Sequence, residues 1–347
     1  MAIINVDTTY VFGKNGITRD AQNVLEQLAF NNEVCEIRFL GFALNKNKAL
    51  RRILNVLNLF FRIHIPISRD YAGVFYQPHI SIFRPGKNST GWLIRLHDLF
   101  PVTNPEWFRW WANTIFKRNL EYAIKNGAFF LFSSEYSQGI FLNRYPQCKD
   151  RVAVFPCIAR KFDQDLCHNC EGCLEINLYP NQENTLLAVG TIEPRKNYEL
   201  LTSVWALHGS EFSGIKKLLI IGAPGWKSGW IQNELSILAS QNLKWVKNCC
   251  DGALGFFYQN SKAFVSASIN EGFNLPALEA RTIYGLPLLL SDIPVHHEVH
   301  ADRARYFKNS EELYVLLLSQ SGESKKSLQP EVHPDASILV NVLNRFN

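Results

Sequence analysis

The chain has no run of about 18 uninterrupted apolar residues, so its sequence contains no candidate for a membrane-spanning helix. Internal repeats and low-complexity tracts are also missing. The first residues have the pattern of a strand instead of that of a signal peptide, so we expect a cytoplasmic protein. Zinc-finger spacings and aromatic RNA-binding motifs are lacking, and the net charge of +5 is modest. This combination argues against a nucleic acid as the partner.

What the chain does contain is enough apolar sequence for two domains. Of its 347 residues, 47% are hydrophobic and 19% are charged, which suits two sizeable cores and excludes a disordered chain. The best boundary is the apolar stretch 154–156, which is followed by an irregular polar connector. We therefore predict domains over residues 1–155 and 185–328, a connector over 156–184 and a final segment over 329–347.

Two glutamates bracket a strand, loop and helix pattern in the second half of the chain. The apolar run 263–269 predicts a strand, and Pro276 followed by the helix-forming run 277–280 predicts a helix start. Such a start directs free backbone N–H groups and the positive end of the helix dipole at an anion, and a diphosphate would fit there. Glu271 and Glu279 would repel that anion unless they face hydroxyl groups, which points to a sugar ring and a ribose. The alternative is that Glu279 only complements the dipole and Glu271 is a solvated loop acid.

The second motif, Gly190 to Asn197, follows the strand-like run 185–189. Its glycine permits a ligand to approach the backbone, and the adjacent cations Arg195 and Lys196 can neutralise a leaving diphosphate. Ligands of open α/β sheets bind beyond the carboxyl ends of the strands, which is where both motifs lie. Strand and helix patterns alternate between the two motifs, and this alternation predicts a parallel, doubly wound sheet. On their own, the two cations would equally fit a solvated turn.

Together the segments Gly-Thr-Ile-Glu-Pro-Arg-Lys-Asn and Glu-Gly-Phe-Asn-Leu-Pro-Ala-Leu-Glu-Ala resemble the donor half of glycosyltransferase family 4. The members of that family are retaining GT-B sugar transferases, and the resemblance covers about residues 186–307. The two glutamates match its Glu-x7-Glu signature. The resemblance implies an α/β fold of the GT-B type, with two Rossmann-like domains facing a deep interdomain cleft. It also implies that a last helix, within residues 329–347, packs back on the first domain.

The same resemblance implies roles for individual residues. Glu271 would contact the transferred sugar and Glu279 the ribose, whereas Arg195 and Lys196 would hold the diphosphate of the donor. The helix start would complete the diphosphate site with Gly272, Phe273, Asn274 and Leu275. The family usually has glycine at the position of Asn274; because asparagine tolerates left-handed backbone angles, we expect a local adjustment without loss of activity. No Asp-x-Asp motif is placed to hold the diphosphate, so we expect catalysis to need no metal cofactor.

The first half of the chain supports this interpretation less strongly. The run 92–96 predicts a strand that ends in His97 and Asp98, as in many family members, where the histidine lies near the reacting sugar. A lone histidine at a strand end is otherwise more often structural. By resemblance, His97 would orient or polarise the sugar, because the leaving phosphate can itself take the proton of the acceptor. Gly13 and Gly16 resemble the acceptor or phosphate loop that precedes the first helix.

Charge is divided unevenly between the halves. Residues 1–155 contain 19 Lys and Arg against 11 Asp and Glu, whereas the rest of the chain contains 17 against 20. A basic first half suits an anionic acceptor, such as a lipid-linked sugar diphosphate, or an anionic membrane surface. Residues 46–62 interleave basic and apolar side chains. They form either an interfacial helix at the membrane or an ordinary helix whose apolar side lies in the core.

The resemblance therefore implies a retaining hexosyltransferase that moves a sugar from a nucleoside-diphosphate donor to a glycan or lipid-linked glycan. The sequence of residues 193–197, Glu-Pro-Arg-Lys-Asn, most resembles that of transferases that build bacterial surface polysaccharides, many of which use GDP-mannose. Two alternatives stay open. One keeps the fold but makes the protein a GT-B epimerase or a sugar phosphorylase, and the other is a non-catalytic protein that binds sugar nucleotides.

The cysteines are not explained by the resemblance. The predicted connector contains four thiols that could form a tetrahedral structural zinc site, namely Cys157, Cys167, Cys170 and Cys173. His168 would be a spare ligand. An exposed loop of reduced thiols is the alternative, whereas disulfides are not expected in a cytosolic chain. Cys249 and Cys250 are interpreted as ordinary packing residues.

Overall fold

The structure is a computed structural model. It describes residues 2–8, 16–30, 34–40, 54, 58, 59, 61, 64–66, 72–162, 165–178, 183–226, 229–237, 242–319, 335 and 337–346. The chain forms two compact units, one of Met1–Ile158 with His333–Asn347 and the other of Ala159–Val332. None of the helices in the described part of the chain is long and apolar enough to cross a membrane.

The first unit is built on a parallel sheet of six strands. The strands of this unit, in chain order, are β1 (Ala2–Asp7), β2 (Val34–Leu40), β3 (Ile65–Pro66), β4 (Gly73–Gln77), β5 (Phe83–Arg84), β6 (Ser89–Leu96), β7 (Phe129–Phe132) and β8 (Val152–Val154). The sheet order is β2-β1-β4-β6-β7-β8, and β3 pairs with β5 separately. Strand β7 is apolar and buried throughout, because a parallel sheet is covered on both faces.

Helices cover both faces of this sheet, and the last helix of the chain is one of them. The helices before the second unit are α1 (Gly16–Phe30), α2 (Phe100–Thr103), α3 (Trp110–Lys125) and α4 (Glu135–Arg144). The final helix, Ser337–Asn344, buries Leu339, Val342 and Leu343 in the apolar cluster that also contains Ile4 and Val6 of β1. The end of the chain therefore completes the core of the first unit.

The second unit repeats the architecture. Its strands are β9 (Thr185–Val189), β10 (Lys217–Ile221), β11 (Leu243–Val246), β12 (Ala263–Ser266), β13 (Leu288–Ser291) and β14 (Arg305–Phe307). Its helices are α5 (Glu171–Leu178), α6 (Tyr198–His208), α7 (Gly229–Ile237), α8 (Asp251–Asn260), α9 (Leu275–Thr282), α10 (Pro294–His300) and α11 (Ser310–Ser319), so the helix of residues 337–344 is α12. The sheet order is β11-β10-β9-β12-β13-β14, all parallel. The predicted α/β class with two Rossmann-like domains is confirmed.

One element differs from its prediction. Residues 171–178 form helix α5, although they belong to the connector that the sequence predicted to be irregular. The helix is short and buries Gly172, Cys173 and Ile176 against α8. A Cβ at Gly172 would lie 2.7 Å from Cys249 Sγ, so the glycine allows the two segments to approach closely. Tertiary packing, which a short periodic segment does not reveal, stabilises this helix.

Candidate functional site

The candidate site lies where the strand order of the second sheet reverses. Strands β9 and β12 are neighbours at the centre of that sheet, and the chain leaves them toward opposite edges. Open α/β sheets bind ligands beyond the carboxyl ends of the strands at such a switch point. The segments 190–197 and 267–274 follow β9 and β12 and meet there, since the amide of Ile269 donates to the carbonyl of Arg195 at 2.8 Å.

Four charged side chains meet at this point. Glu271 pairs with Arg195 through Oε2 and with Lys196 through Oε1, the second pair at 2.5 Å. The Arg195 guanidinium also contacts Glu193, with 2.5 Å between Nε and Oε1. Ser268 Oγ donates to Glu271 Oε1 at 2.7 Å. The two predicted diphosphate ligands and the predicted sugar ligand are therefore in direct contact with one another.

This cluster is buried and its carboxylate is held ionised. Glu271 is 4% exposed and Lys196 is 8% exposed. Burial raises the pKa of Glu271. The charges of Arg195 and Lys196 and the hydrogen bonds from Lys196 and Ser268 lower it by more than burial raises it, so the net pKa lies well below its usual value. Burying ions costs several kcal/mol for each one, so stability alone does not account for such a cluster. Strongly shifted carboxyl groups at a strand end are typical of a functional site.

The loop before α9 presents backbone donors beside the cluster. Asn274 caps the helix in the left-handed conformation, with φ of 69° and ψ of 59°, which asparagine adopts more readily than most residues. Among the described residues, no acceptor is bonded to the amides of Phe273, Asn274 or Leu275. These amides and the N-terminus of α9 form a region of positive potential.

Asn274 does more than tolerate the left-handed conformation. Its Nδ2 donates to Ser266 Oγ at 3.1 Å and to His296 Nε2 at 2.8 Å. His296 Nδ1 in turn donates to the carbonyl of Ser291 at 2.8 Å, which fixes the tautomer. Burial lowers the pKa of His296 to about 4, so this ring is neutral at physiological pH. The side chain of Asn274 thus ties the helix start to β12 and α10, which a glycine could not do.

Glu279 lies one turn further along α9. Its side chain is 1% exposed, and Tyr258 Oη donates to its Oε2 at 3.3 Å. The same hydroxyl lies 3.3 Å from the carbonyl of Pro276. Glu279 is therefore placed beyond the helix start, where it contacts α8.

The predicted His97 of the first unit lies beside a buried ion pair. Arg95 is fully buried in β6 and makes two bonds to Asp20 of α1, Nε to Oδ2 at 2.8 Å and Nη2 to Oδ1 at 3.0 Å. His97 Nε2 lies 3.8 Å from Asp20 Oδ2 and has no hydrogen-bond partner among the described residues. Burial lowers the pKa of His97 to about 4 despite the carboxylate of Asp20. His97 is thus a neutral ring with a free nitrogen at the carboxyl end of its strand.

The two predicted loop glycines of the first unit, Gly13 and Gly16, receive little support as site residues. Gly13 lies outside the described residues. Gly16 is the first residue of α1, and a Cβ there would meet no atom within 4 Å. Its surroundings therefore do not require a glycine.

The structure corrects the predicted group of thiols. Cys157 belongs to the first unit, where its Sγ lies 3.6 Å from Arg95 Nη2. The fourth sulfur beside the other three is that of Cys250, 3.6 Å from Cys173 Sγ. The prediction failed because sequence proximity suggested Cys157, whereas Cys250 precedes α8 and reaches the cluster only through the fold. Cys157 also lies near Asp20 and His97, but the Arg95 guanidinium already neutralises that carboxylate.

Other residues of the two sites carried a weaker sequence signal. Arg95 interrupts the apolar run of β6, and a charge in a buried strand is a signal of a buried partner. Asp20 and His296 gave no such signal, because an acid on a helix and a histidine in a loop are common on surfaces. Their roles appear only when the elements that carry them are packed.

Comparison with known proteins finds similarity in the part of the chain that contains the donor-site motifs. The family model described as glycosyl transferases group 1 matches residues 174–312. The serotype-specific mannosyltransferase WbdA of Escherichia coli is 33% identical over 129 residues, which are 35% of this chain and 15% of WbdA. The O-antigen chain mannosyltransferase B of Escherichia coli is 25% identical over 238 residues, which are 67% of this chain and 61% of that protein. The chain thus spans only a small part of WbdA.

The fold is shared with a solved glycosyltransferase. WaaG, a glycosyltransferase involved in lipopolysaccharide biosynthesis, superposes with a TM-score of 0.60 at 11% identity, over 99% of this chain and 94% of its own. At this identity the likeness shows the fold alone. The chain has the two-domain α/β fold of the GT-B type, as the sequence predicted.

Proposed function

We propose that this protein is a glycosyltransferase that moves a hexose from a nucleoside-diphosphate sugar to a glycan or lipid-linked glycan in polysaccharide biosynthesis. The observation that carries the proposal is the buried contact of Arg195 and Lys196 with Glu271 at the switch point of the second sheet. This contact lies inside the segment that matches the glycosyl transferases group 1 model. The names of the two related mannosyltransferases and of WaaG support a role in polysaccharide biosynthesis.

Binding of the donor would exchange the partners in this cluster. Glu271 is paired with both Arg195 and Lys196. A diphosphate has more negative charge than one carboxylate, and it would also meet the amides of the α9 start. We expect the diphosphate to become the partner of the two cations and Glu271 to accept hydrogen bonds from hydroxyls of the sugar. Glu279 would bind the ribose one turn further on.

The leaving group is then stabilised by fixed cations. Two cations and a helix start, held in a dry site, stabilise the charge that develops on a departing diphosphate. A metal ion is not needed for this step in the proposed mechanism, and the site residues would act without one. The acceptor hydroxyl attacks on the face from which the diphosphate leaves and passes its proton to a phosphate oxygen, so the anomeric configuration is retained.

His97 has a positioning role in this proposal. A ring with a pKa of about 4 is neutral at physiological pH, so it is not poised as a general acid and would act on the sugar by hydrogen bonding. Asp20 and Arg95 hold the region around the ring. The first unit would bind the acceptor, and its basic charge suits a lipid-linked diphosphate.

We also propose a cytoplasmic protein with a peripheral contact to the membrane. The support is the basic first half of the chain. The segment 46–62, whose pattern suggested an interfacial helix, lies largely outside the described residues, and so both interpretations of it stay open. Binding to vesicles that contain anionic lipid, lost in high salt, would support the contact.

The donor test combines binding and turnover. Thermal shift with GDP, UDP and ADP identifies the base, and GDP-selective stabilisation would favour GDP-mannose as the donor. Turnover of the matching sugar nucleotide follows, with and without added Mg²⁺. Lys196→Ala should lower turnover by about 100-fold or more, because a preorganised charge on a leaving group is worth several kcal/mol.

The matched control is Lys308→Ala, which removes an exposed lysine of the same unit. It should leave turnover within about two-fold of wild type, since exposed ion pairs contribute little. Near-wild-type turnover of a folded Lys196→Ala protein would contradict the diphosphate assignment. Binding without transfer or hydrolysis would instead identify a non-catalytic sugar-nucleotide-binding protein.

A further inference from the structure

Four cysteine sulfurs form a compact group in the second unit. Cys170, Cys173 and Cys250 are buried, and Cys167 lies at the surface of the group. All four sulfurs lie within 4.8 Å of one another. The separations are 3.5 Å between Cys170 and Cys173, 3.6 Å between Cys173 and Cys250, and 3.9 Å between Cys167 and Cys173.

These separations have the size of a tetrahedron around one ion. With metal–sulfur bonds of about 2.3 Å, the sulfurs of a tetrahedral zinc site are about 3.8 Å apart. A disulfide would bring two sulfurs to about 2.05 Å, and all four thiols are free. An iron–sulfur cluster distributes its thiolates over several irons, which needs a wider group.

The backbone around the sulfurs is arranged to support thiolates. The amides of Cys173 and Cys250 donate to Cys170 Sγ at 3.4 and 3.3 Å. The amide of Ala253 donates to Cys250 Sγ at 3.5 Å, so this sulfur also caps helix α8. Hydrogen bonds from amides and a helix N-terminus both favour the thiolate form that binds a metal.

The local chain path brings the ligands into place. His168 adopts the left-handed conformation with φ of 62°, which folds the short Cys-x2-Cys turn between Cys167 and Cys170. Helix α5 starts directly after Cys170, and the amide of Gly172 donates to the carbonyl of Asn248 at 3.1 Å. The carboxylate of Glu171 accepts from the amide of Lys247 at 2.7 Å. Two segments distant in sequence are therefore clamped together around the sulfurs.

We propose that Cys167, Cys170, Cys173 and Cys250 bind one structural zinc ion. The ion joins the start of α5 to the start of α8, and four protein ligands leave no open position for catalysis. The binding free energy of the ion adds to the stability of the second unit. Its fourth ligand is Cys250, which no sequence spacing pointed to.

The first measurement is metal content. Protein purified without chelator should contain close to one zinc per chain, because one tetrahedral site holds one ion. Cobalt exchanged into the site should give the intense visible and near-ultraviolet absorption of a tetrahedral tetrathiolate. Iron in place of zinc, or mass spectrometry that shows disulfides among the four cysteines, would overturn the proposal.

The second measurement identifies the ligands. Cys250→Ser should lower both the zinc content and the affinity for the zinc that remains. Cys157→Ser should leave the zinc content at the wild-type level. Zinc lost in Cys157→Ser and kept in Cys250→Ser would refute the assignment of the fourth ligand. If Cys250→Ser does not fold, the exposed ligand Cys167 provides a second variant, Cys167→Ser, with the same expected loss.

The third measurement follows the ion in the wild-type protein. Removal of zinc with a chelator should make four additional thiols reactive and speed amide hydrogen exchange in residues 165–178 and 247–254. Protection in β6 and β7 should change little, because those strands belong to the other compact unit. Four thiols that react quickly before any chelator is added, in protein without metal, would leave only a cluster of reduced cysteines.

Discussion

The charge state of Glu271 decides what this side chain can do. Because its pKa lies below the usual range, the carboxylate carries no proton at neutral pH and can only accept hydrogen bonds. It therefore cannot serve as a general acid. In the proposed mechanism it would accept hydrogen bonds from sugar hydroxyls when a diphosphate replaces it as the partner of the two cations. Ser268, which donates to it at 2.7 Å, would keep its orientation during that exchange.

Glu279 offers a separate test at the level of one residue. In Glu279→Gln, the amide oxygen can still accept from Tyr258, so the fold is preserved. Donor KM should rise by about 10-fold, the loss expected for a hydrogen bond to a charged group, whereas kcat should fall less. Ribose contacts are similar in the ground state and the transition state, and steady-state kinetics with varied donor measures both constants.

Tyr258→Phe is the control for Glu279→Gln. It removes the hydroxyl that contacts Glu279 Oε2 but leaves the carboxylate in place. Its effect on donor KM should be smaller than that of Glu279→Gln. A collapse of kcat at constant KM in Glu279→Gln would show a chemical role and contradict the ribose assignment.

At the scale of elements, the turn after β9 determines where Lys196 lies. A Cβ at Gly190 would lie 3.0 Å from Lys196 Cε and 3.2 Å from Lys196 Nζ. Tyr198 Oη donates to the carbonyl of Gly190 at 2.8 Å and ties the turn to helix α6. The turn therefore has space for the lysine only because position 190 has no side chain.

Gly190→Ala should affect both stability and function. Position 190 has φ of 157°, which side chains rarely adopt, and the methyl group would in addition meet the end of Lys196. The ammonium group would then leave its place beside Glu271, and we expect turnover to fall by about 10-fold or more. Donor turnover and the thermal midpoint, measured on the same sample, separate the two effects.

Two other glycines provide controls for this element. A Cβ at Gly222 would lie 1.9 Å from the carbonyl oxygen of Gly190, so Gly222→Ala must shift the backbone and should lower the thermal midpoint. A Cβ at Gly139 would meet no atom within 4 Å, and Gly139→Ala in helix α4 should be neutral or stabilising. Wild-type turnover by a folded Gly190→Ala protein would contradict the proposed link between Gly190 and the place of Lys196.

At the scale of the whole molecule, buried neutral histidines occur in both units. Burial lowers the pKa of His97 and of His296 to about 4 and places that of His300 well below its usual value. Both ring nitrogens of His300 have no hydrogen-bond partner among the described residues. Each ring is therefore held in its uncharged form by the fold and by nearby cations.

These histidines predict how stability depends on pH. The unfolded chain takes up protons near the ordinary pKa of 6.5, whereas the folded protein resists protonation of these rings until about pH 4. The unfolded state thus binds more protons in that window, and stability falls as the pH falls from 6.5 to 4. For His296 the loss at pH 5 is about 2 kcal/mol. Thermal unfolding at constant ionic strength measures it.

His300→Leu tests the origin of this slope. The variant should lose less stability between pH 7 and pH 5 than the wild type does, whatever its stability at pH 7. A thermal midpoint that is constant or rises from pH 6.5 to 4 would show that the buried rings do not carry the effect.

The sequence by itself determined the class of the fold and the motifs of the donor half. Apolar runs such as 185–189 and 263–266 become strands, because a strand buried on both faces needs uninterrupted apolar residues. Pro276 and the following helix formers place the start of α9 correctly, because these are local preferences. Such features depend on neighbours along the chain and can be read from it directly.

Only the tertiary structure decided which distant residues meet. Cys250 replaces Cys157 in the thiol group, and Arg95 finds Asp20, through the packing of elements that lie far apart in the sequence. The pairing of Glu271 with Lys196 likewise depends on β9 and β12 becoming neighbours in the sheet. No local pattern encodes these contacts, because they follow from the order of the strands and from the burial that makes each charge or thiol require a partner.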